Sequence, residues 1–340
     1  MIDVLIIGSG VAGLEAACNL YDSGKDVLVL EKEKSIGGNV QNWDSLFPDG
    51  EKAQNIISHY MHEIQARQIT VYINTFVSGI RKIADNTFEV NTSRDIVFKC
   101  KTVLLATGYS LFNAERKEEY GYQIYDNVIT SADLEKRFVL QKAVTSPTGN
   151  SLKRIAFVHC VGSRDEKSGN HYCSKVCCIT AVKQAIKMKQ LVPDVEVLCF
   201  YMDLRMYGAG FEEKYREAQE KWGIQFIRGR VSEVSQTFEK RLQVKAEDTL
   251  AARPFKLEVD MLVLMIGMES QASTALFEKS CGLQCAESRF IRPLRHHLES
   301  NATNVKGLFT AGTCIGPLSV FDTINHARSA AISISNFLAE

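Results

Sequence analysis

Four of the ten cysteines of the chain fall within the stretch "HCVGSRDEKSGNHYCSKVCC", which spans residues 159–178. They are Cys160, Cys173, Cys177 and Cys178, and the last two are adjacent. A disulfide between neighbouring cysteines is strained and therefore rare. Zinc sites usually pair cysteines two to four residues apart on separate arms of the chain. The spacing favours a different group, one that accepts four thiolates from a short stretch of chain.

The elements around these cysteines indicate how the thiols are brought together. The apolar run "RIAFVH" predicts a strand that ends at Cys160, and "HYCSKVCCITAVKQAIKMKQ" predicts a helix carrying the other three. On such a helix Cys173 and Cys177 share a face, and Cys178 lies about 100° round the axis. Four thiolates arranged in this way can hold an iron–sulfur cluster from two sides. Zinc and reduced packing cysteines remain as alternatives. Positive groups that would offset the charge of a cluster are the helix N-terminus, His159, Arg164, Lys175 and Lys183.

The N-terminal stretch "DVLIIGSGVAGLEAACNLYDSGKDVLVLEKE" predicts a βαβ unit that binds a dinucleotide. Gly8 permits a tight turn, Gly10 lets the backbone approach a pyrophosphate, and Gly13 lets the helix pack close to the strand. The N-terminus of the helix attracts the phosphates, and Glu31, at the end of the second strand, accepts from ribose hydroxyls.

Three later stretches indicate that the dinucleotide is FAD. "SIGGN" (35–39), "VLLATGY" (103–109) and "NVKGLFTAGTCIGP" (304–317) resemble segments of the FAD domain of flavoproteins with two dinucleotide-binding domains. Those flavoproteins usually have Gly-Asp where this chain has Gly312-Thr313. A helix over about 318–338 is expected to direct its N-terminus at the N1/O2 edge of the flavin, where its dipole favours an anionic reduced flavin. His326 on this helix is expected to be structural. The resemblance implies that FAD contacts Gly8, Ser9, Gly10, Val11, Ala12, Gly13, Glu31, Lys32, Gly37, Gly38, Asn39, Val77, Thr107, Gly108, Gly312, Thr313, Pro317 and Val320.

A second βαβ pattern begins at Arg154, but its first strand runs into Cys160-Val161-Gly162-Ser163 instead of a second glycine-rich turn. The chain also has no Cys-x-x-Cys, the pair that would carry disulfide chemistry beside a flavin. The expected fold class is α/β, with two Rossmann-like dinucleotide-binding domains as in thioredoxin-reductase-type flavoproteins. We expect a discontinuous FAD domain over 1–145 and 286–340, and an NAD(P)-like domain over 146–285 that carries the iron–sulfur site.

The cysteine pattern, with "CVGSRD" and "YCSKVCC", resembles the signature of the heterodisulfide reductase A-subunit family. "YDNVITSADLEKRF", "DLRMYGAGFEEKY" and "QFIRGRV" resemble that family as well. The likeness is greatest to the short heterodisulfide-reductase-like A-subunits of sulfur-oxidising prokaryotes. The resemblance implies that Cys160, Cys173, Cys177 and Cys178 hold a [4Fe–4S] cluster. It also implies a catalytic lysine near flavin N5, which in this chain is Lys183.

The expected function is therefore that of an oxidoreductase, an FAD- and [4Fe–4S]-containing electron-transfer subunit that acts in cytoplasmic sulfur-compound oxidation. Its expected partners are other iron–sulfur subunits of a heterodisulfide-reductase-like complex, and the resemblance implies a homodimer. An NAD(P)H-dependent flavin oxidoreductase and the flavoprotein subunit of a quinone-interacting complex remain as alternatives. Forty basic residues balance forty acidic ones, which argues against a nucleic-acid partner. With no signal peptide and no long apolar run, we expect a cytoplasmic protein without direct membrane insertion.

Overall fold

A computed structural model describes residues 1–141, 144–146, 149 and 151–339 of the chain. The β-strands are, in chain order, β1 (Ile2–Ile7), β2 (Val27–Leu30), β3 (Thr70–Tyr72), β4 (Val77–Ala84), β5 (Thr87–Thr92), β6 (Val97–Leu105), β7 (Tyr109–Leu111), β8 (Val128–Thr130), β9 (Arg154–Val161), β10 (Glu196–Tyr201), β11 (Gln225–Arg228), β12 (Val231–Gln236), β13 (Leu242–Asp248), β14 (Arg253–Val259), β15 (Met261–Ile266), β16 (Met268–Ser270) and β17 (Leu308–Thr310). The α-helices are α1 (Val11–Asp22), α2 (Ala53–Ala66), α3 (Ser131–Val139), α4 (Cys177–Leu191), α5 (Phe211–Glu220), α6 (Thr274–Cys281) and α7 (Val320–Phe337).

The chain folds as two compact units. The first unit is assembled from residues 1–41, 53–110 and 269–340, and the second from residues 42–52 and 111–268. The short strands β7 and β16 pair with each other where the chain passes from one unit to the other. None of the described helices combines the length and the apolar character that a bilayer crossing requires.

The first unit is built on a sheet in the order β3-β2-β1-β6-β5-β4, and β17 also pairs with β6. Strands β1, β2, β3, β6 and β17 are parallel, whereas β4 and β5 run antiparallel. The parallel strands read as continuous apolar runs such as Val27–Leu30, which is typical of strands covered on both faces. Residues of β1, β6 and α6 meet in one apolar core that includes Leu5, Val103 and Phe277.

The second unit contains a parallel sheet in the order β11-β10-β9-β15-β8 and an antiparallel sheet of β12, β13 and β14. Strand β9 lies at the centre of the parallel sheet, where it pairs with β10 and β15. One core, with Phe157 and Ala181, lies between β9 and α4; the other, with Phe200 and Leu242, lies under the antiparallel sheet. Because all strands of the first sheet are parallel, their carboxyl ends lie along a single edge, and this edge carries the cysteines.

Three sequence-based expectations differ from the observed elements. The units divide after residues 110 and 268, whereas we expected boundaries near 145 and 285, because β8 joins β15 in the sheet of the second unit. The stretch 224–234 was expected to form one strand, but it forms β11 and β12 in different sheets. The expectation that Cys173 lies on a helix is wrong, because α4 begins at Cys177.

Candidate functional site

The Gly8–Gly13 turn connects β1 to α1 in the first unit. Gly8 has a φ of 106°, and a Cβ there would overlap the carbonyl oxygen of Ala106. A Cβ on Gly13 would overlap the carbonyl oxygen of Gly8. Both glycines are therefore required by close backbone approach, as the motif predicted.

Gly10 differs from these two glycines because it faces open space. The one neighbour that a Cβ at Gly10 would meet within 4 Å is the Cα of Gly38, at 3.9 Å. Gly10 also caps α1 without a side chain, so no side chain satisfies the first N–H groups of that helix. An unfilled space beside the N-terminus of a helix suits an anionic group such as a pyrophosphate.

Glu31 and the Gly37–Gly38 turn border this space. The buried carboxylate of Glu31 accepts from the backbone N–H and the hydroxyl of Ser9, at 2.7 and 2.6 Å, and from the N–H of Glu33 at 2.9 Å. Gly37 donates its N–H to the carbonyl of Ser9 at 2.8 Å. These bonds fix the orientation of the carboxylate at the carboxyl end of β2. Lys32 points elsewhere, since its Nζ donates to Gln271 at 3.3 Å.

Two further turns of the first unit lie at the ends of β6 and β17. After β6, the hydroxyl of Thr107 is buried and has no hydrogen-bond partner among the described residues. A Cβ on Gly108 would lie 3.8 Å from the hydroxyl of Thr313, and a Cβ on Gly312 would lie 2.7 Å from that of Ala12. The structure therefore gathers the 107–108 and 312–313 turns near the start of α1. An unpartnered buried hydroxyl beside this group of turns fits a polar ligand such as FAD.

The remaining predicted FAD residues have different surroundings. Asn39 donates to the carbonyl of Tyr109 at 3.2 Å. Val77 is buried within the core of the first unit. Pro317 and Val320 flank Ser319, which forms a capping box with Asp322 at the start of α7. This box takes up donors at the helix N-terminus, which we had expected to face the flavin with its full dipole.

His326, on α7, has a defined hydrogen-bonding role. Its Nδ1 accepts from the N–H of Gly312 at 2.9 Å, and its Nε2 is buried without a partner among the described residues. Burial lowers the pKa of this imidazole. The geometry fits the predicted structural role, because a neutral ring is needed to accept the bond that holds the Gly312 turn.

In the second unit, the predicted ligand cysteines lie where β9 ends and α4 begins. The Sγ atoms of Cys160 and Cys177 are 4.0 Å apart. The thiol of Cys178 lies 3.7 Å from the carbonyl oxygen of Asp203, to which it donates. Cys173 lies in the preceding loop and accepts from the N–H of Lys175 at 3.2 Å. In the described part of the chain, no three His, Cys, Asp or Glu side chains are placed closely enough to hold a metal ion as they stand.

The loop between β9 and α4 explains why Cys173 is not helical. Lys175 has a φ of 61°, in the left-handed region that a right-handed helix cannot include. The buried hydroxyl of Ser174 accepts from the N–H of Met268 at 3.0 Å, and Asn170 donates to the carbonyl of Gly162 at 2.9 Å. These bonds hold the loop over the end of the sheet, so the helix starts four residues later than predicted.

The thiols of this group differ electrostatically from the other buried cysteines. Hydrogen bonding from Cys177 lowers the pKa of Cys178, and the nearby imidazole of His159 lowers it further. Hydrogen bonding with Cys160 and Cys178, together with burial, raises the pKa of Cys177. Burial alone raises the pKa of Cys100 to about 12 and also raises that of Cys199. The group therefore shares a thiolate, whereas isolated buried cysteines remain neutral.

Several polar groups beside these thiols are buried without satisfied hydrogen bonds. Among the described residues, both ring nitrogens of His159, the hydroxyl of Ser163 and the Nη1 of Arg164 have no partner. Such groups are rare in native structures and call for a partner that is not a protein atom. Cationic and hydrogen-bonding groups next to thiols suit a negatively charged cluster.

Lys183 lies two turns into α4, where it is engaged with residues of its own unit. Its Nζ lies 2.7 Å from the Oε1 of Glu135 and donates to the carbonyl of Ser45 at 2.7 Å. Glu135 is buried and also accepts from Gln184 and from the N–H of Asp44, each at 2.9 Å. The predicted role of Lys183 near flavin N5 remains a prediction.

The sequence analysis missed Asp203, Arg228 and Arg230, which also lie at the carboxyl edge of the second sheet. Arg164 donates to the carboxylate of Asp203 at 2.6 Å, and an Nη of Arg228 lies 3.6 Å from it. The available signal was that Asp203 follows β10 closely and that Arg228 ends β11. Parallel neighbours of β9 necessarily place these residues next to its end.

Comparison with known proteins places the chain in a family. The family model described as pyridine nucleotide-disulphide oxidoreductase matches residues 2–156 and 177–331. The chain belongs to this family. The match is interrupted over 157–176, the stretch that carries Cys160 and Cys173.

The chain is also similar to curated heterodisulfide reductase proteins. It is 32% identical to the first A-type iron-sulfur subunit of the CoB–CoM heterodisulfide reductase of Methanopyrus kandleri, and 31% identical to the A-type iron-sulfur subunit of that of Methanocaldococcus jannaschii. The alignments cover 98% and 99% of this chain, and 63% and 64% of the two relatives. The chain therefore spans a little under two thirds of the length of these relatives. The predicted resemblance to this group of subunits is confirmed.

Solved structures confirm the fold class. Thioredoxin reductase of Lactococcus lactis matches with a TM-score of 0.70 at 20% identity, and that of T. acidophilum with a TM-score of 0.69 at 19% identity. Each match covers 100% of this chain and 99% of the other. The fold is that of thioredoxin-reductase-type flavoproteins, with a discontinuous first unit. The family identifies the chain as an oxidoreductase, and family and fold together support FAD as a cofactor.

Proposed function

We propose that the chain is an electron-transfer subunit of a heterodisulfide-reductase-like complex and holds one FAD and one [4Fe–4S] cluster. The observation that carries the proposal is the contact between Cys160 and Cys177, whose sulfurs lie 4.0 Å apart at the start of α4. In a dinucleotide-binding βαβ unit, a glycine-rich turn occupies this place and holds a pyrophosphate. Here thiols replace that turn, and the family match is interrupted over the same stretch. The residues therefore suit an electron-carrying cluster better than a nicotinamide nucleotide.

The donor set supports the cluster assignment through its chemistry. Cys160, Cys173, Cys177 and Cys178 would supply four thiolates, the number that a [4Fe–4S] cluster takes. Arg164 and the buried His159 would offset its charge and hydrogen-bond its sulfurs. The names of both curated relatives describe an iron-sulfur subunit. When bound, FAD accepts or gives two electrons and the cluster carries one at a time, so the chain can connect two-electron and one-electron partners.

The first unit supplies the flavin site of this proposal. The free N–H groups of α1 and the space beside Gly10 would hold the pyrophosphate. The oriented carboxylate of Glu31 would accept from ribose hydroxyls, and the unpartnered hydroxyl of Thr107 would gain a hydrogen bond. The remaining residues of the predicted FAD site line the neighbouring turns.

The proposed setting is cytoplasmic sulfur-compound oxidation, with other heterodisulfide-reductase-like iron–sulfur subunits as partners. The resemblance of the chain to the short subunits of sulfur oxidisers motivates this assignment. We also propose a two-fold homodimer, the commonest form of homo-oligomer. Sedimentation of the anaerobically purified protein at micromolar concentration tests the dimer, because a single species of about 38 kDa would contradict it.

Spectroscopy of the anaerobically purified full chain tests the two cofactors. We expect one FAD and about four irons per chain, with the EPR signal of a reduced cluster after chemical reduction. Cys177→Ser should lose the iron and the EPR signal but keep the FAD, because the glycine turn lies in the other unit. Cys199→Ser is the matched control, since Cys199 is a buried cysteine of the same unit outside the group.

Two results would contradict the cluster. One is zinc in place of iron in protein made with an intact iron–sulfur assembly system. The other is full iron content after two of the four cysteines are replaced. Saturable reduction of the flavin by NADH would instead favour the NAD(P)H-dependent alternative.

A further inference from the structure

Four arginines surround the residues that follow β10. Arg164 and Arg228 approach the carboxylate of Asp203, at 2.6 and 3.6 Å. Arg228 also donates to the carbonyl of Met202 at 3.2 Å, and Arg230 donates to the sulfur of Met202 at 2.8 Å and to the carbonyl of Arg164 at 3.2 Å. Arg205 is exposed two residues after Asp203. We call Arg164, Arg205, Arg228 and Arg230 the arginine patch.

The arginine patch carries a surplus of positive charge. Asp203 pairs with two of its members, and among the described residues no carboxylate lies within ion-pair distance of Arg205 or Arg230. The neighbouring Asp248 accepts from the N–H groups of Leu250 and Ala251, at 3.0 and 3.1 Å, so its carboxylate serves the β13–β14 turn. In a chain with forty basic and forty acidic residues, four arginines around one aspartate are a local concentration of charge.

The patch lies directly over the thiol group. The carbonyl oxygen of Asp203 is 3.7 Å from the Sγ of Cys178, and the side chain of Asp203 is 47% exposed. One residue therefore spans the distance from a buried thiol to the surface. Arg164 belongs to the loop that leaves β9 just after Cys160, so two sides of the patch are attached to the elements that carry the cysteines.

We infer that the arginine patch is the docking surface for a small acidic protein that carries one electron at a time. The inference deepens the proposed function, and the choice of an electron carrier rests on it. Complementary charge accelerates association and orients the partner, which is what a short-lived electron-transfer complex requires. A carrier seated here brings its own redox centre within one residue's thickness of the proposed cluster.

The position of the patch, at the end of the second strand of a βαβ unit, could also suit the phosphate of a nicotinamide nucleotide. The start of α4 argues against a nucleotide. Its first residues, Cys177 and Cys178, are buried, and the turn before it lacks the glycines that admit a pyrophosphate. A nucleotide would thus keep one contact and lose its main anchor, whereas an acidic protein needs only the exposed arginines.

Binding of a small acidic ferredoxin, measured by calorimetry on the anaerobically purified full chain, tests the inference. Arg228→Gln/Arg230→Gln should weaken binding about ten-fold and flatten its dependence on salt. The control is Lys153→Gln/Lys240→Gln, which removes the same charge from exposed lysines. Those lysines lie at the opposite edge of the sheet, near Asp260, and the control should bind within about two-fold of the wild type.

The outcomes separate the docking surface from the proposed function. Weakened binding in the arginine variant alone supports the docking surface, even if no electrons pass to ferredoxin and the proposed function fails. Equal binding by both double variants, or no binding by the wild type, overturns the docking surface even if iron, flavin and reduction of a neutral quinone are normal. Tight NADPH binding that disappears in the arginine variant also overturns it, because the patch would then serve a nucleotide.

Discussion

The Nζ of Lys183 lies 2.7 Å from the Oε1 of Glu135, and the same carboxylate accepts from the backbone N–H of Asp44 through its other oxygen. Lys183 also donates to the carbonyl of Ser45, and Lys187 lies 3.1 Å from Asp44. The 42–52 segment is therefore fastened to α3 and α4 by charged groups that are largely buried.

Replacing Glu135 with Gln should destabilise the second unit by about 3 kcal/mol, because it leaves the ammonium of Lys183 without a carboxylate in a mostly buried site. Glu135→Gln/Lys183→Met should cost less than the sum of the two single variants, since it removes both charges. Urea denaturation of all four proteins measures this coupling. Strictly additive free energies would show that the pair contributes nothing to stability.

Lys183→Met also tests the predicted place of this lysine near flavin N5. Loss of a nearby positive charge makes reduction harder, so the reduction potential of the bound flavin should fall. Lys187→Met is the control, because Lys187 lies one turn further along α4 and is paired with Asp44. The potential is measured by spectroelectrochemical titration. An unchanged potential in Lys183→Met would leave the lysine with a structural role alone.

Gly10 and Gly13 should respond differently to substitution although they belong to one motif. Gly10→Val places its side chain in open space at an ordinary φ of −70°, so the protein should fold while its FAD content falls at least ten-fold. Gly13→Ala forces a Cβ onto the carbonyl of Gly8 and should destabilise the first unit by about 3 kcal/mol. Flavin absorbance per chain and thermal unfolding separate the two effects. A folded Gly10→Val variant with stoichiometric FAD would rule out the pyrophosphate assignment.

His326 should make the stability of the first unit depend on pH. Burial lowers the pKa of this imidazole below its unfolded value of about 6.5, so the unfolded chain binds a proton that the folded chain resists. The stabilising effect of the neutral ring is full above pH 6.5 and is lost as the pH falls below it. Urea midpoints between pH 5 and 8 should decline on the acid side, and less steeply in His326→Gln. Parallel profiles for the two proteins would assign the decline to other groups.

The sequence was sufficient to predict the units that depend on local pattern. The β1–α1–β2 unit has continuous apolar runs, a glycine turn and helical periodicity within thirty residues, so its elements are nearly as predicted. The start of α4 was predicted wrongly, because the left-handed conformation of Lys175 and the bond from Met268 to Ser174 depend on distant parts of the fold.

Contacts between distant residues were beyond what the sequence pattern could predict. The partner of Lys183 is Glu135, on another helix 48 residues earlier. Arg228 and Arg230 approach Asp203 because β11, β10 and β9 are neighbours in that order. Such an order follows from packing of the whole unit, and a single helix or strand carries no signal for it.

The first unit is completed by residues that the ribosome adds last. Strand β17 pairs with β6, and α7 packs against α1, more than three hundred residues after β1 is made. At a synthesis rate of about 5–20 residues per second, β1 and α1 wait on the order of 15–60 s for α7. The segments of the second unit all emerge within that interval. During translation the thiol-bearing unit can therefore fold first, while the flavin-binding turn is still incomplete.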